Sequence, residues 1–190
     1  MRHLAQWKNA DGTVLALRRM RASDAPRVKE ALGKLSAEAR RNRFFSTVAD
    51  FSDDLVRRLT AVDPRREWAL VIVRIDDAGE HPIAGGRFVL RPEPGCCEFS
   101  LLVGDAWQGQ GLGRRLLKEL MGEARRRRLR RMIGHVLADN RPMLMLARSL
   151  RFEIEESTED PTVKRVVREL PLRRAHRLTD WLQRLRRRFG

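Results

Sequence analysis

The chain has 190 residues, 42% hydrophobic and 34% charged. It is long enough for one domain with a real core, too short for two comfortable ones, and too apolar to be wholly disordered. Forty Lys and Arg against 25 Asp and Glu leave a net charge of +15, which implies anionic company: a phosphorylated ligand, nucleic acid, an acidic protein or a membrane surface. No window approaches the roughly 18 apolar residues of a transmembrane helix. Residues 1–7 lack an apolar signal core, and the only cysteines are the adjacent Cys96 and Cys97. A disulfide framework is therefore excluded and a cytoplasmic location is expected.

Residues 13–20 read as a strand. Ser23 and Asp24 mark a helix start that tolerates Pro26 in its first turn. The helical pattern runs to about Phe45, broken near Gly33 and re-entered at Ser36, and a short helix follows Ser52, Asp53 and Asp54. Strand-like runs come next at 68–75, 82–90 and 97–103. Asp76, Asp77, Ala78 and Gly79 make a hairpin turn between the first two, and a loop with Pro and Gly at 91–95 joins the last two. After Gly113 the period changes: Leu112, Leu116, Leu120 and Ala124 recur every four residues, and Leu117 and Met121 widen the stripe. That is an amphipathic helix packed on a sheet. Residues 132–137 read as a strand, 140–150 as a helix with Pro142 in its first turn, and 152–156 and 163–170 as final strands. The order predicts an α/β or mixed α+β domain over residues 1–170.

Composition breaks at Pro171. Residues 173–190 carry seven Arg and one Asp, with Leu178, Trp181, Leu182, Leu185 and Phe189 at helical spacing. A basic amphipathic C-terminal helix over 171–190 is expected. It could pack on the domain, mediate a homodimer, or lie on an anionic membrane or nucleic acid. No nucleic-acid-binding motif is present, so charge alone supports at most nonspecific contact. Six Arg within residues 125–131 end the long helix. They complement the negative end of its dipole as a solvated face, or recruit an acidic partner.

Gln108, Gly109, Gln110, Gly111, Leu112 and Gly113 sit between an apolar strand and that helix. Alternate glycines leave backbone N–H groups open, and a helix start adds unpaired donors and a positive dipole end. A pyrophosphate could dock there without a charged side chain. The same glycines could also simply make a tight strand-to-helix turn. Their spacing is not the dinucleotide G-x-G-x-x-G.

The run from Glu98 to Val103, then Trp107, Gln108 and the glycines to Arg114, resembles the acetyl-CoA-binding core of the Gcn5-related N-acetyltransferases (GNAT). Asn140 and the stretch that follows it to Phe152 are similar to that family's closing helix. The resemblance implies a central mixed, mostly antiparallel twisted sheet flanked by helices. It also implies acetyl-CoA as cosubstrate, with its pyrophosphate at Gln108, Gly109, Gln110, Gly111, Leu112, Gly113 and Arg114. Its pantetheine would lie on backbone groups at Leu101, Leu102 and Val103 and beside Asn140. Leu35, Ser36, Glu38, Arg40, Arg43, Phe44 and Phe45, with Asp63, Glu67 and Leu70, further resemble the acetyltransferase domain of bacterial protein lysine acetyltransferases. That likeness implies an acceptor lysine on a metabolic enzyme such as an acyl-CoA synthetase. The aromatics could equally be core at the end of a helix.

Transfer to an amine needs a base, because only about one part in a thousand of a lysine with pKa near ~10.4 is neutral at physiological pH. Glu98 is the lone acidic residue of its strand-like run and matches the family's catalytic glutamate. Alternation puts it on one face with Ser100 and Leu102; the plainer reading is a charge on a solvated face. Glu67 is the second choice. The family-like oxyanion donor is the Val103 backbone N–H. The chain has no Tyr, and the family's tyrosine position aligns with Ala147, while Arg151 replaces the usual glycine before Phe152. His135, Cys96 and Cys97 are conceivable acids, and water is another. No metal is expected, since adjacent cysteines do not chelate one without further ligands. The alternatives are a small-amine or N-terminal α-amine acetyltransferase, and a non-catalytic module that binds coenzyme A or an anionic partner.

Overall fold

The computed structural model describes residues 3–46, 50–158 and 160–171; most of the expected C-terminal helix lies outside them. Eight strands form one sheet in the order β1-β2-β3-β4-β5-β6-β8-β7. Seven of them are the runs expected from the sequence: β2 (Val14–Arg19), β3 (Glu67–Asp76), β4 (Gly79–Leu90), β5 (Cys96–Val103), β6 (Arg131–Leu137), β7 (Glu153–Glu156) and β8 (Val163–Glu169). The strand missed from sequence is β1 (Ala5–Lys8), an edge strand antiparallel to β2. It is too short to show a period, and only Ala5 and Trp7 turn toward the core.

Hydroxyl caps set two of the helices. Ser36 Oγ accepts the Ala39 N–H at the start of α2 (Ala37–Phe44), and Ser52 Oγ accepts the Leu55 N–H at the start of α3 (Asp53–Thr60). Asp24, expected to cap the first helix, makes no side-chain cap to α1 (Ala25–Gly33). Its carboxylate accepts the Arg21 N–H and grips the buried Arg18 guanidinium through two bonds of 2.8 Å. A buried cation needs a partner more than a helix end does.

The amphipathic helix is α4 (Leu112–Arg126). Leu116, Leu117 and Leu120 have no exposed surface and pack with Leu17, Ile72, Phe88 and Met132 of the sheet; each such side chain contributes about 2 kcal/mol of burial. On the opposite sheet face α1–α3 form a smaller core around Val28, Leu32, Leu35 and Phe51. α5 (Arg141–Ser149) follows β6. Part of the arginine run is structural: Arg126 and Arg127 both bond Glu123, and Arg127 lies over the rings of Trp68 and Phe88. Among the described residues no helix is long and apolar enough to cross a membrane.

One feature of the sheet creates the site. Every pairing is antiparallel except β5 with β6, and that parallel register ends at Glu98 opposite Ile133. β5 runs on against β4 as far as Val103 opposite Ala84, so one edge of residues 99–103 is left open. The Phe99 ring fills the start of the opening: a Cβ added to Gly134 would sit 2.6 Å from it.

Candidate active site

β5 leads through a short turn at Asp105–Trp107 into the glycine loop and α4. Gly109 and Gly111 have φ of 73° and 78°, and a Cβ on either would meet nothing within 4 Å. They are needed for the backbone's left-handed conformation, and they leave its amides facing open space. Gly113 serves another end: a Cβ there would press to 3.3 Å on Leu146 of α5. The loop therefore presents unpaired helix-start donors and a positive dipole end to whatever fills the opening.

The side chains around this backbone cradle are mostly engaged elsewhere. Gln108 Nε2 donates to the Val103 carbonyl at 3.4 Å, and Gln110 bonds the Ala106 carbonyl and Asn9. Arg114 donates to Ser149 Oγ at 2.7 Å. Leu112 is buried in the core, so only its amide is available. Arg115 stacks 3.6 Å over the Trp7 ring, which ties the β1–β2 hairpin to the start of α4.

A groove of about 820 Å³ runs from the loop along the open strand pair. Leu101, Leu102, Val103, Gln108, Gly109, Gly111, Leu112, Gly113, Arg114, Asn140 and Glu98 all line it; of the expected coenzyme-binding residues, Gln110 does not. Asn140 Oδ1 caps α5 by accepting the Met143 N–H at 3.1 Å, which leaves its amide nitrogen for a ligand. At the far end of the groove the Glu98 carboxylate bonds Arg91 Nη1 at 3.0 Å and meets His135 Nδ1 at 3.3 Å. Alternation along β5 puts it on one face with Ser100 and Leu102, the latter packed toward α1–α3.

Other expected players are placed differently. Glu67 is ion-paired with Arg87 on the neighbouring strand. Burial pushes the Cys97 thiol up to about 12, with Cys96 adding to the effect, and burial raises Cys96 as well. Ala147 is fully buried, and Arg151 adopts the left-handed conformation (φ 58°) natural to the glycine it replaces. The resemblance singled out Glu38, Arg43 and Phe44 but not where they sit: α2 lies along the groove and places them, with Asn42, in its lining. Ser36 N–H and Oγ both donate to Asp105, and Arg41 reaches Asp139 at 2.8 Å, so the helix is tied at both ends.

A sheet opened at a single parallel pair, with a glycine-turned helix start at its mouth, defines an acyltransferase-type site. The chain belongs to the Acetyltransferase (GNAT) family, whose model matches residues 35–152. Acetyltransferase PA5475 of Pseudomonas aeruginosa is 29% identical over 152 residues, spanning 80% of this chain and 82% of that protein. Among solved structures, the GNAT domain of S. lividans PAT superposes with a TM-score of 0.77 at 27% identity, covering 87% of this chain and 96% of that one. Structural likeness extends to yncA from Salmonella typhimurium, solved with its cofactor acetyl-CoA, at a TM-score of 0.64 and 21% identity over 85% of this chain and 96% of that one. The expectation of a mixed, mostly antiparallel sheet flanked by helices is met.

Proposed function

We propose that the protein moves an acetyl group from acetyl-CoA directly to a primary amine, a protein lysine, with Glu98 as the general base. The observation that carries the reading is the continuity of one groove from the backbone cradle at Gly109 and Gly111 to the carboxylate of Glu98. The cradle fits the cosubstrate: open amides at a helix start suit a pyrophosphate, and residues 101–103 offer a backbone edge that β6 does not cover. When bound, the thioester supplies an activated acyl group.

The chain's own residues account for the remaining steps. Glu98 takes the proton of the attacking amine, directly or through one water, as the C–N bond forms and the C–S bond breaks. Arg91 and His135 hold its two oxygens in the groove. The Val103 N–H serves the developing oxyanion. No tyrosine is present to protonate the departing sulfur, burial makes the Cys96 and Cys97 thiols poor acids, and His135 is engaged with Glu98, so that proton comes from water. The lysine acceptor, on a metabolic enzyme such as an acyl-CoA synthetase, is supported by the residue 35–45 likeness to bacterial protein lysine acetyltransferases. Incubation with acetyl-CoA and cell lysate, followed by mass mapping, tests this. Enzyme-dependent acetyl-lysines are expected; a lysate without any would contradict the lysine acceptor.

A further inference from the structure

A second cavity, of about 360 Å³, lies between α1–α3 and the β3–β5 face. It shares Arg43, Phe44, Ser100 and Leu102 with the groove, so it opens on the acceptor side of β5, one alternation step from Glu98. Met20, Leu32, Leu35 and Leu59 make its walls largely apolar.

Two guanidinium groups enter this apolar space. Arg87 pairs with Glu67 and donates to the Arg58 carbonyl at 3.1 Å, while its buried Nε has no partner. Among the described residues, Arg43 meets no carboxylate or carbonyl; its contact is the Phe44 ring, 5.0 Å from Cζ. Burial, with the Arg87 charge adding, pushes the Arg43 pKa down to about 10. Asp105, the acid that lines the cavity, is held by Ser36. Of the three cations that line the cavity, Lys34 pairs with Glu30 and Arg87 with Glu67, which leaves Arg43 without a carboxylate. Arg43 is half-buried, and a charge partly withdrawn from water is more stable when paired, so the missing charge is a single negative one.

We infer that Arg43, backed by Arg87, is the docking point for a carboxylate carried by the acceptor. A guanidinium fork matches a carboxylate in two bonds, and the cavity's position on the face of Glu98 sets it apart from the pyrophosphate cradle. This rests on the transferase reading and narrows its substrate class. The carboxylate can belong to an acidic residue beside the target lysine or to a free amino acid, and the experiment separates the two.

At saturating acetyl-CoA, kcat/KM is compared within two acceptor pairs: a lysine peptide with a neighbouring Glu against the same peptide with Gln, and a free amino acid against its amide. The acidic member is favoured about tenfold or more in one pair, the worth of a charge-assisted bond, and that pair names the source. Arg43→Gln brings the ratio to about one, and Arg43→Lys restores part of it. A second readout needs no turnover: Nε-acetyl-lysine and the acetylated Glu peptide are each compared with their neutral counterparts, one acidic product raises the Tm of the wild type more than its counterpart does, and Arg43→Gln removes the difference. No acidic preference in either pair, or a preference that survives in Arg43→Gln, overturns the inference. Absence of transfer to every amine strikes the transferase reading instead, and the Tm difference then decides the carboxylate site alone: present it upholds the site, absent it overturns it.

Discussion

On the α4 side of β5 the elements suited to an anion are backbone: amides at Gly109 and Gly111 and the first turn of α4. On the α1–α3 side they are guanidinium groups, Arg43 and Arg87, set in apolar surroundings. The backbone cradle is fixed in place and needs no compensating charge when empty. The side-chain site carries an uncompensated charge, which favours an anionic ligand strongly over none. A third region calibrates the second. Arg18 is only 3% exposed, yet Asp24 and Glu80 both pair with it; that cluster serves stability rather than binding.

The largest effect expected is at the backbone cradle. Gly111→Asp introduces a negative charge at the proposed pyrophosphate cradle and is expected to weaken acetyl-CoA binding by more than about 100-fold, with the fold retained; titration calorimetry against the folded variant checks it. At the meeting point of the two sides, Glu98→Gln keeps coenzyme binding but lowers kcat by about 100-fold or more at neutral pH. The deficit shrinks as pH rises and the amine loses its proton unaided, which a pH–rate profile would show.

The paired arginine sharpens the contrast in stability. Asp24→Ala leaves Arg18 buried without its main partner and costs about 3 kcal/mol, measured by denaturant unfolding. Burial alone would raise the Asp24 carboxyl, but bonds from Arg18 and the Arg21 amide outweigh it and hold the group below its usual range. A lowered folded pKa means stability is present above the unfolded value near ~3.9 and is lost as pH falls through the folded one. Wild-type Tm should therefore drop in acid below about pH 4, and Asp24→Asn, lower at neutral pH, should lose less there. Gly134→Ala crowds the Phe99 ring at the point where the strands part and costs about 1–3 kcal/mol in the same unfolding assay. The smallest change is at the β1–β2 hairpin: Trp7→Ala removes the stack on Arg115 and raises the KM for acetyl-CoA about two- to fivefold with kcat unchanged.

The cradle side was legible because its signals are local. Glycines at alternate positions and leucines four apart specify a turn and an amphipathic helix within a few residues, and the serine caps at Ser36 and Ser52 fixed two helix starts in the same way. The guanidinium side was not, because Arg43, Glu67 and Arg87 come from α2, β3 and β4 and meet only through sheet register and the placement of α2. Asp24 shows the converse: its local signal reads as a helix cap, and a buried arginine six residues away claims the carboxylate. The net charge of +15 pointed to anions in general. The two sites suited to one use backbone amides at Gly109 and Gly111 and only two arginines of that excess, while other arginines, such as Arg127, pack against Glu123 and aromatic rings.

The account requires both sides of β5 to be filled at once, with the acyl group passing straight to the amine beside Glu98. Initial rates measured while acetyl-CoA and the acceptor are both varied test this directly. Direct transfer gives double-reciprocal lines that intersect; parallel lines, with an acetylated enzyme trapped in the absence of acceptor, would contradict it.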